Sequence, residues 1–270
     1  MSHRLWTRAF STLGCVELSL EEAFHLAERH GLDAVEVRGI GNSLDVPAEL
    51  EKTFGTPEAF ASFVSSRSIR LCALDTSLKL IGNSDEERDA FLSYLPWAEA
   101  VGLRYLRVFD GGTDLNDVEL EQALETLSWW DNLRRARGWH ADVMVETHDA
   151  LTRTPAILRL FDNAPAPINL LWDTHHTWRL GGEETSETWR AIGSRVVHIH
   201  VKDSISHSSA PRDYTYIPPG QGEFAMNTLR DLLARDGYTG TVSLEWERRW
   251  HPALAPLEDA LVSATTHQWW

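Results

Sequence analysis

Hydrophobic and polar positions along the chain follow two alternating periods, one typical of short buried strands and one typical of amphipathic helices. The strand-type runs are rich in β-branched and aromatic residues and are bounded by Gly, Pro or charge. The helix-type runs carry start signals, such as the capping box of Ser19 and Glu22 and the Thr56–Pro57 pair. We predict strands at about 5–10, 34–38, 69–74, 104–109, 142–147, 167–173, 196–201 and 241–246.

The order of these elements predicts the fold class. The strands alternate with helices predicted over about 19–31, 56–67, 84–101, 117–137, 154–163, 185–193, 224–236 and 256–265. Eight such repeats with short connections favour an α/β fold, a (β/α)8 TIM barrel, with one domain over residues 1–270. An open doubly wound sheet is the alternative, but it needs a Gly-rich phosphate loop after the first strand. The segment STLGCVELS found there has a single glycine.

Charge and composition limit the kinds of partner that the protein is expected to bind. The chain has 25 Lys+Arg against 40 Asp+Glu, a formal charge of −15, which repels nucleic acids and anionic membranes. Cys15 and Cys72 lie outside any CxxC or Cys/His cluster, so reduced thiols are expected. The charges in the N-terminal segment predict that it is not a signal peptide, and no apolar stretch reaches the roughly 18 residues that a membrane span needs. We therefore predict a cytoplasmic protein that binds neither nucleic acid nor membrane, and leave open a homo-oligomer or association with a second subunit.

Four acidic or histidine residues each end a strand-type run in the second half of the chain. Glu146, Asp173, His200 and Glu245 follow one another at intervals of 27, 27 and 45 residues, close to one or two strand-plus-helix units. In a parallel barrel such strand ends meet at one rim, where their side chains can surround a single metal ion. Three carboxylates and one imidazole suit Mn²⁺ or Mg²⁺ best, with Co²⁺ or Zn²⁺ as alternatives. His198 shares the strand face of His200, but His200 lies nearer the strand end.

An ion held by these residues would keep one or two positions open for a sugar carbonyl and its neighbouring hydroxyl. It would then polarise the C=O bond and stabilise the enediolate that forms when the adjacent proton leaves. Glu146 and Glu245 lie on the fifth and eighth strands, so they can address opposite faces of that enediolate as proton carriers. The predicted activity is isomerisation or epimerisation of a small sugar, keto-sugar or sugar-derived acid.

Other polar residues near the strand ends are candidates for substrate binding. His176 lies three residues after Asp173 and can contact a sugar oxygen or supply a proton. A long segment at about 203–223, rich in Ser, Pro and Gly, follows the seventh strand and would hang over the metal as a lid. The remaining candidates for substrate contact are His148, Glu36, Arg38, Arg107, Lys202 and Arg212.

Several short motifs, taken together and in order, resemble the xylose isomerase-like barrel superfamily, in particular its sugar phosphate isomerase/epimerase group. They include LSLEEAFHLAERHGLDAVEVRG, LRVFDGG, VETHDALTRTP, WDTHHTW, VVHIHVKD, PPGQGEF and LEWERRWHP. The resemblance implies metal ligation by Glu146, Asp173, His200 and Glu245, acid/base roles for the two glutamates, and substrate contact for His176. It does not specify the substrate.

The chain departs from two branches of this superfamily. The ketohexose 3-epimerases usually carry a carboxylate and an arginine where this chain has Thr152 and Ser206, with Arg212 as a possible substitute for the arginine. The endonuclease branch needs extra histidines on early strands, and strands two to four here have none. Two rivals to the isomerase remain: a lyase or dehydratase, which expels a β-leaving group from the same enediolate, and a non-catalytic sugar-binding subunit.

Overall fold

The computed structural model describes residues 5–207 and 212–269 and confirms a closed barrel of eight parallel strands surrounded by helices. Around the barrel, β1 to β7 are adjacent in chain order, and β10 closes the ring between β7 and β1. The remaining two strands, β8 and β9, form a separate antiparallel hairpin. The strands are β1 (Thr7–Ser11), β2 (Ala34–Val37), β3 (Arg70–Lys79), β4 (Tyr105–Phe109), β5 (Asp142–Glu146), β6 (Asn169–Asp173), β7 (Val196–Val201), β8 (Ser204–Ser206), β9 (Tyr214–Tyr216) and β10 (Thr241–Leu244).

The helices follow the predicted order with two differences. One helix was predicted between β2 and β3, but two are present, and the first begins where Asp45 accepts a hydrogen bond from the Ala48 N–H. The helix predicted over 84–101 is divided, because Pro96 lacks an N–H and starts a new first turn. The helices are α1 (Leu20–Arg29), α2 (Val46–Phe54), α3 (Pro57–Ser65), α4 (Asp85–Leu92), α5 (Leu95–Ala100), α6 (Asp117–Arg137), α7 (Thr154–Asn163), α8 (Thr185–Ile192), α9 (Met226–Arg235) and α10 (Leu257–Thr266).

Alternation along the strands separates the outer core from the barrel interior. In β5, Val143 and Val145 belong to the main apolar core beneath the helices. Met144 points the opposite way and packs in a small separate cluster with Ala73 and Leu171. Glu146 lies two residues after Met144 on the same strand face and is the last residue of β5. It therefore lies above this apolar cluster, at the carboxyl end of the barrel. No helix among the described residues is long and apolar enough to cross a membrane.

Candidate metal centre and active site

The four predicted metal ligands lie together at the carboxyl ends of four neighbouring strands. Glu146 and Asp173 are the last residues of β5 and β6, and Glu245 directly follows β10. His200, on β7, pairs in register with Asp173 on one side and with Ser243 of β10 on the other. The barrel register, set by strand pairing, therefore brings these side chains to one level.

The geometry of this set fits a single divalent ion. The Nδ1 atom of His200 lies 3.3 Å from a Glu146 oxygen, 3.4 Å from a Glu245 oxygen and 3.9 Å from an Asp173 oxygen. One ligand atom from each residue lies within 4.8 Å of the others, as expected for donors about 2.0–2.6 Å from a common centre. His200 Nδ1 and Glu146 Oε2 are buried and make no hydrogen bond to the described residues. The site thus presents ligand atoms without hydrogen bonds, which a cation would satisfy.

Glu36 lies beneath this set, whereas the sequence suggested that it contacts substrate. Its carboxylate is fully buried and bridges two imidazoles, with Oε1 2.7 Å from His200 Nε2 and Oε2 2.7 Å from His198 Nε2. Although burial opposes ionisation of Glu36, the two histidines lower its pKa well below the usual range. An acceptor at Nε2 fixes the His200 ring and leaves Nδ1 to face the carboxylates, the arrangement found around many metal-bound histidines. Glu36 therefore positions His200 and does not line the cavity.

Lys202 also differs from its predicted role in substrate binding. Its side chain is fully buried, and Nζ lies 2.8 Å from Asp173, 2.5 Å from Glu245 and 2.7 Å from Glu247. Burial opposes its charge, but the three carboxylates raise the pKa of Lys202 well above the usual range. Lys202 is thus a permanent cation beside the predicted ligands. Glu247 was missed by the sequence reasoning, although it follows Glu245 by the strand period of two.

A cavity of about 670 Å³ opens above the ligands. Glu146 and Glu245 both reach it, so the two predicted proton carriers face the space where a substrate would lie. Burial alone would raise the pKa of Glu146, but Arg107, 3.3 Å away, and His200 lower it to about 2. Of the predicted substrate contacts, the cavity is lined by His176, His148, Arg38, Arg107 and Arg212, and not by Glu36 or Lys202.

Two histidines meet on the cavity wall in different electrostatic environments. The rings of His148 and His176 lie 4.8 Å apart in an edge-to-face contact. Burial lowers the pKa of His176, and its Nδ1 lies 3.0 Å from the carbonyl oxygen of Thr147, so the neutral ring keeps Nε2 as an acceptor. His148 forms a 3.0 Å ion pair with Asp149, and although burial opposes its charge, Asp149 and Glu146 raise its pKa to about 9. A neutral and a protonated imidazole thus stand side by side.

A buried carboxylate that the sequence reasoning missed holds the His148 loop. Asp110, directly after β4, accepts hydrogen bonds from the backbone N–H groups of His148, Asp149 and Leu151 at 2.7–3.2 Å. Burial raises the pKa of Asp110 to about 7 against the opposing effect of these donors. The DGG sequence after the fourth strand is the only signal that could have indicated this role. Asp110 fixes the backbone that carries His148.

The long segment after β7 was predicted to be irregular, but its described part contains the paired antiparallel strands β8 and β9, the β8–β9 hairpin. Asp203 holds its base by accepting hydrogen bonds from the N–H groups of Ser204, Gly220, Gly222 and Phe224 at 2.9–3.1 Å. A Cβ atom at Gly222 would lie 2.1 Å from the Asp203 carboxylate, which explains a glycine there. Residues 208–211 of the predicted lid lie outside the described residues, whereas Arg212 reaches the cavity.

Comparison with known proteins agrees with this fold. Residues 24–266 match the family model described as xylose isomerase-like TIM barrel, and the chain belongs to that family. An inosose dehydratase of Clostridium perfringens is 24% identical over 211 residues, which are 66% of this chain and 68% of the relative.

Two solved structures share the fold at 16% identity and a TM-score of 0.75. One is the probable 3-DHS dehydratase AsbF of Bacillus anthracis, with 96% of this chain and 98% of that chain covered. The other is the IOLI protein, whose crystal structure holds a zinc atom, with 97% and 96% covered.

Proposed function

We propose that this protein is a divalent-metal-dependent lyase that removes a proton next to the carbonyl of a polyhydroxy ketone and expels a β-leaving group as water or an alcohol. One observation carries the proposal. Glu146 and Glu245, two members of a ligand set that fits one ion, open into the same cavity as the His148–His176 pair. The inosose dehydratase and 3-DHS dehydratase names of similar proteins support an elimination.

The donor set favours Mn²⁺ or Mg²⁺, because three of its four members are hard carboxylate oxygens. Co²⁺ and Zn²⁺ are alternatives, and zinc is present in the similar IOLI structure. When bound, the ion would polarise the ketone and make the neighbouring C–H bond more acidic.

The chain's own residues provide the proton transfers. Glu245 lies at the cavity floor, and although burial opposes its ionisation, Lys202 and His200 keep its pKa well below the usual range, so it is an anionic proton acceptor. The C–H electron pair forms the new C=C bond, and the β C–O bond breaks. His148, protonated beside Asp149, then gives its proton to the departing oxygen.

An isomerase or epimerase is the second candidate, and a specific feature favours it. Glu146 and Glu245 come from β5 and β10, on either side of Asp173 and His200 in the ligand set, and both face the cavity. Two carboxylates placed in this way can remove a proton from one face of a planar intermediate and return it to the other. In this reaction the β-substituent is not expelled.

Incubation of the Mn²⁺-loaded protein with a panel of polyhydroxy ketones in D₂O distinguishes these reactions by mass spectrometry. Loss of one water molecule from the substrate or release of an alcohol indicates a lyase. Deuterium gain without fragment loss indicates an isomerase or epimerase. If no ketone exchanges or eliminates although one binds, the protein is a non-catalytic sugar-binding subunit and both enzyme proposals fail.

A further inference from the structure

Arg38 is a buried cation at the cavity wall for which the described residues provide no acidic partner. It follows β2 and is 5% exposed. Its Nη2 donates to the Ser77 hydroxyl at 3.0 Å, while Nη1 is buried without a hydrogen-bond partner. Among the ion pairs of the described residues, none involves Arg38. Burial and the nearby Arg107 lower the pKa of Arg38, against the opposing effect of Asp75, Tyr94 and Glu146, none of which lies within ion-pair distance.

The acidic residues at the cavity are already engaged. Glu146 pairs with Arg107, and Lys202 pairs with both Glu245 and Glu247. Asp149 pairs with His148. A buried charge without a partner costs several kcal/mol, and a fold seldom retains one unless a ligand compensates it. Arg38 is therefore a cation without an ion pair at the wall of a cavity open to solvent.

The barrel topology fixes the position of Arg38 relative to the predicted metal ligands. The ligands occupy one continuous arc, β5, β6, β7 and β10, and Arg38 stands at the end of β2 in the other arc. A ligand that reaches both must carry a ketone at one end and an anionic group at the other. A single unpartnered guanidinium nitrogen matches one monoanionic carboxylate, whereas a phosphate dianion calls for two cations.

We propose that Arg38 binds a carboxylate of the substrate, so that the preferred substrate is an acidic polyhydroxy ketone. This inference rests on the proposed function and specifies its substrate class. Arg38 acts here as a binding residue, distinct from the groups that move protons. It would separate this chain from enzymes whose ketone substrates carry no charge.

Equilibrium binding of unreactive probes to the Mn²⁺-loaded protein tests the inference without turnover. Shikimate and its methyl ester form a ring-shaped pair that differs by one charge, and glycerate and glyceramide form an open-chain pair. We expect at least one acid to bind about 10- to 100-fold more tightly than its neutral partner, the range of one charge-assisted hydrogen bond. Arg38→Gln should abolish this difference and leave the neutral probe unchanged, and Arg38→Lys should retain part of it.

Arg70→Gln is the matched control, because it removes the same charge at the opposite, amino-terminal end of β3. Three outcomes would overturn the inference: equal affinity for acid and neutral probe, equal weakening of both by Arg38→Gln, or no acid binding at concentrations up to about 10 mM. Tighter binding of glycerol phosphate than of glycerate would assign Arg38 to a phosphate and also overturn it. Because binding is measured without reaction, the two proposals can fail separately. Deuterium exchange into a neutral ketone with no effect of Arg38 on binding would support the proposed function and contradict the role of Arg38. Arg38-dependent binding of the acid without exchange into any ketone would support the role of Arg38 and contradict the proposed function.

Discussion

Glu36 and His200 form a 2.7 Å contact between the Glu36 Oε1 and the His200 Nε2 atoms, which turns the opposite ring nitrogen toward Glu146, Asp173 and Glu245. This contact determines which imidazole nitrogen is free for a metal. It also explains why a carboxylate from the second strand lies inside the barrel, one layer below the ligands.

Glu36→Gln should weaken divalent metal binding about 10- to 100-fold, because the amide no longer fixes the ring by charge. The measurement is a Mn²⁺ titration followed by electron paramagnetic resonance. Glu58→Gln, on the outer helix α3, is the control and should leave affinity unchanged. If Glu36→Gln bound Mn²⁺ as tightly as the wild type, Glu36 would have no role in holding the ligand.

Lys202→Met should lower the free energy of unfolding of the metal-free protein by about 3–5 kcal/mol, because several buried carboxylates lose their shared cation. Saturating Mn²⁺ should restore part of that loss by supplying positive charge at the same place. Urea unfolding with and without the ion measures both effects. Lys52→Met removes an exposed lysine paired with Glu49 and should change stability by less than about 1 kcal/mol. A Lys202 variant as stable as the wild type without metal would contradict the assigned ion pairs.

Asp203→Ala should expose the hairpin segment to protease, because four backbone N–H groups lose their common acceptor. Trypsin cleavage after Arg212 should become faster, and the products can be located by mass spectrometry. The surface variant Asp114→Ala controls for general loss of stability. Unchanged cleavage at Arg212 would show that the base of the hairpin is held by other contacts. If the segment is also a lid, a saturating acidic probe should slow cleavage of the wild type.

Glu245→Gln should lower turnover by about 10²–10⁴ at saturating Mn²⁺, the usual cost of removing a general base. Substrate binding should change far less, because the amide keeps an oxygen at the cavity floor. Comparison with Glu146→Gln separates the two candidate reactions: an epimerase needs both carboxylates, whereas a lyase needs one as its base. Wild-type turnover in metal-saturated Glu245→Gln would remove Glu245 from the mechanism.

The fold and the clustering of Glu146, Asp173, His200 and Glu245 at one end of the barrel were predictable, because both follow from strand periodicity. Each short run that ends in Glu146, Asp173 or Glu245 signals a strand end, and closure of the barrel brings such ends together. Periodicity along one strand also placed His198 and His200 on a common face. It did not predict that Glu36 would contact both of them, because that contact depends on the register between distant strands.

Other features could not be predicted from the sequence, because they depend on contacts between residues that are far apart in the chain. Asp110 resembles any acidic residue of a turn, and only the fold shows that its oxygens meet the His148 loop. The unpaired state of Arg38 likewise depends on which carboxylates reach it, which no spacing along the chain reveals. The hairpin after β7 was missed because its strands are three residues long and are separated by Ser- and Pro-rich sequence.

The most direct test of the metal-dependent account is the metal content of purified protein, compared between the wild type and Asp173→Ala. Asp173 lies on β6, inside the proposed ligand arc, so its loss should empty the site while the barrel stays folded. Asp117→Ala, at an exposed residue of α6, serves as the control. After incubation with Mn²⁺ and removal of free ion, we expect about one ion per chain in the wild type and control and almost none in Asp173→Ala. Full occupancy in folded Asp173→Ala would contradict the assigned metal centre and the chemistry built on it.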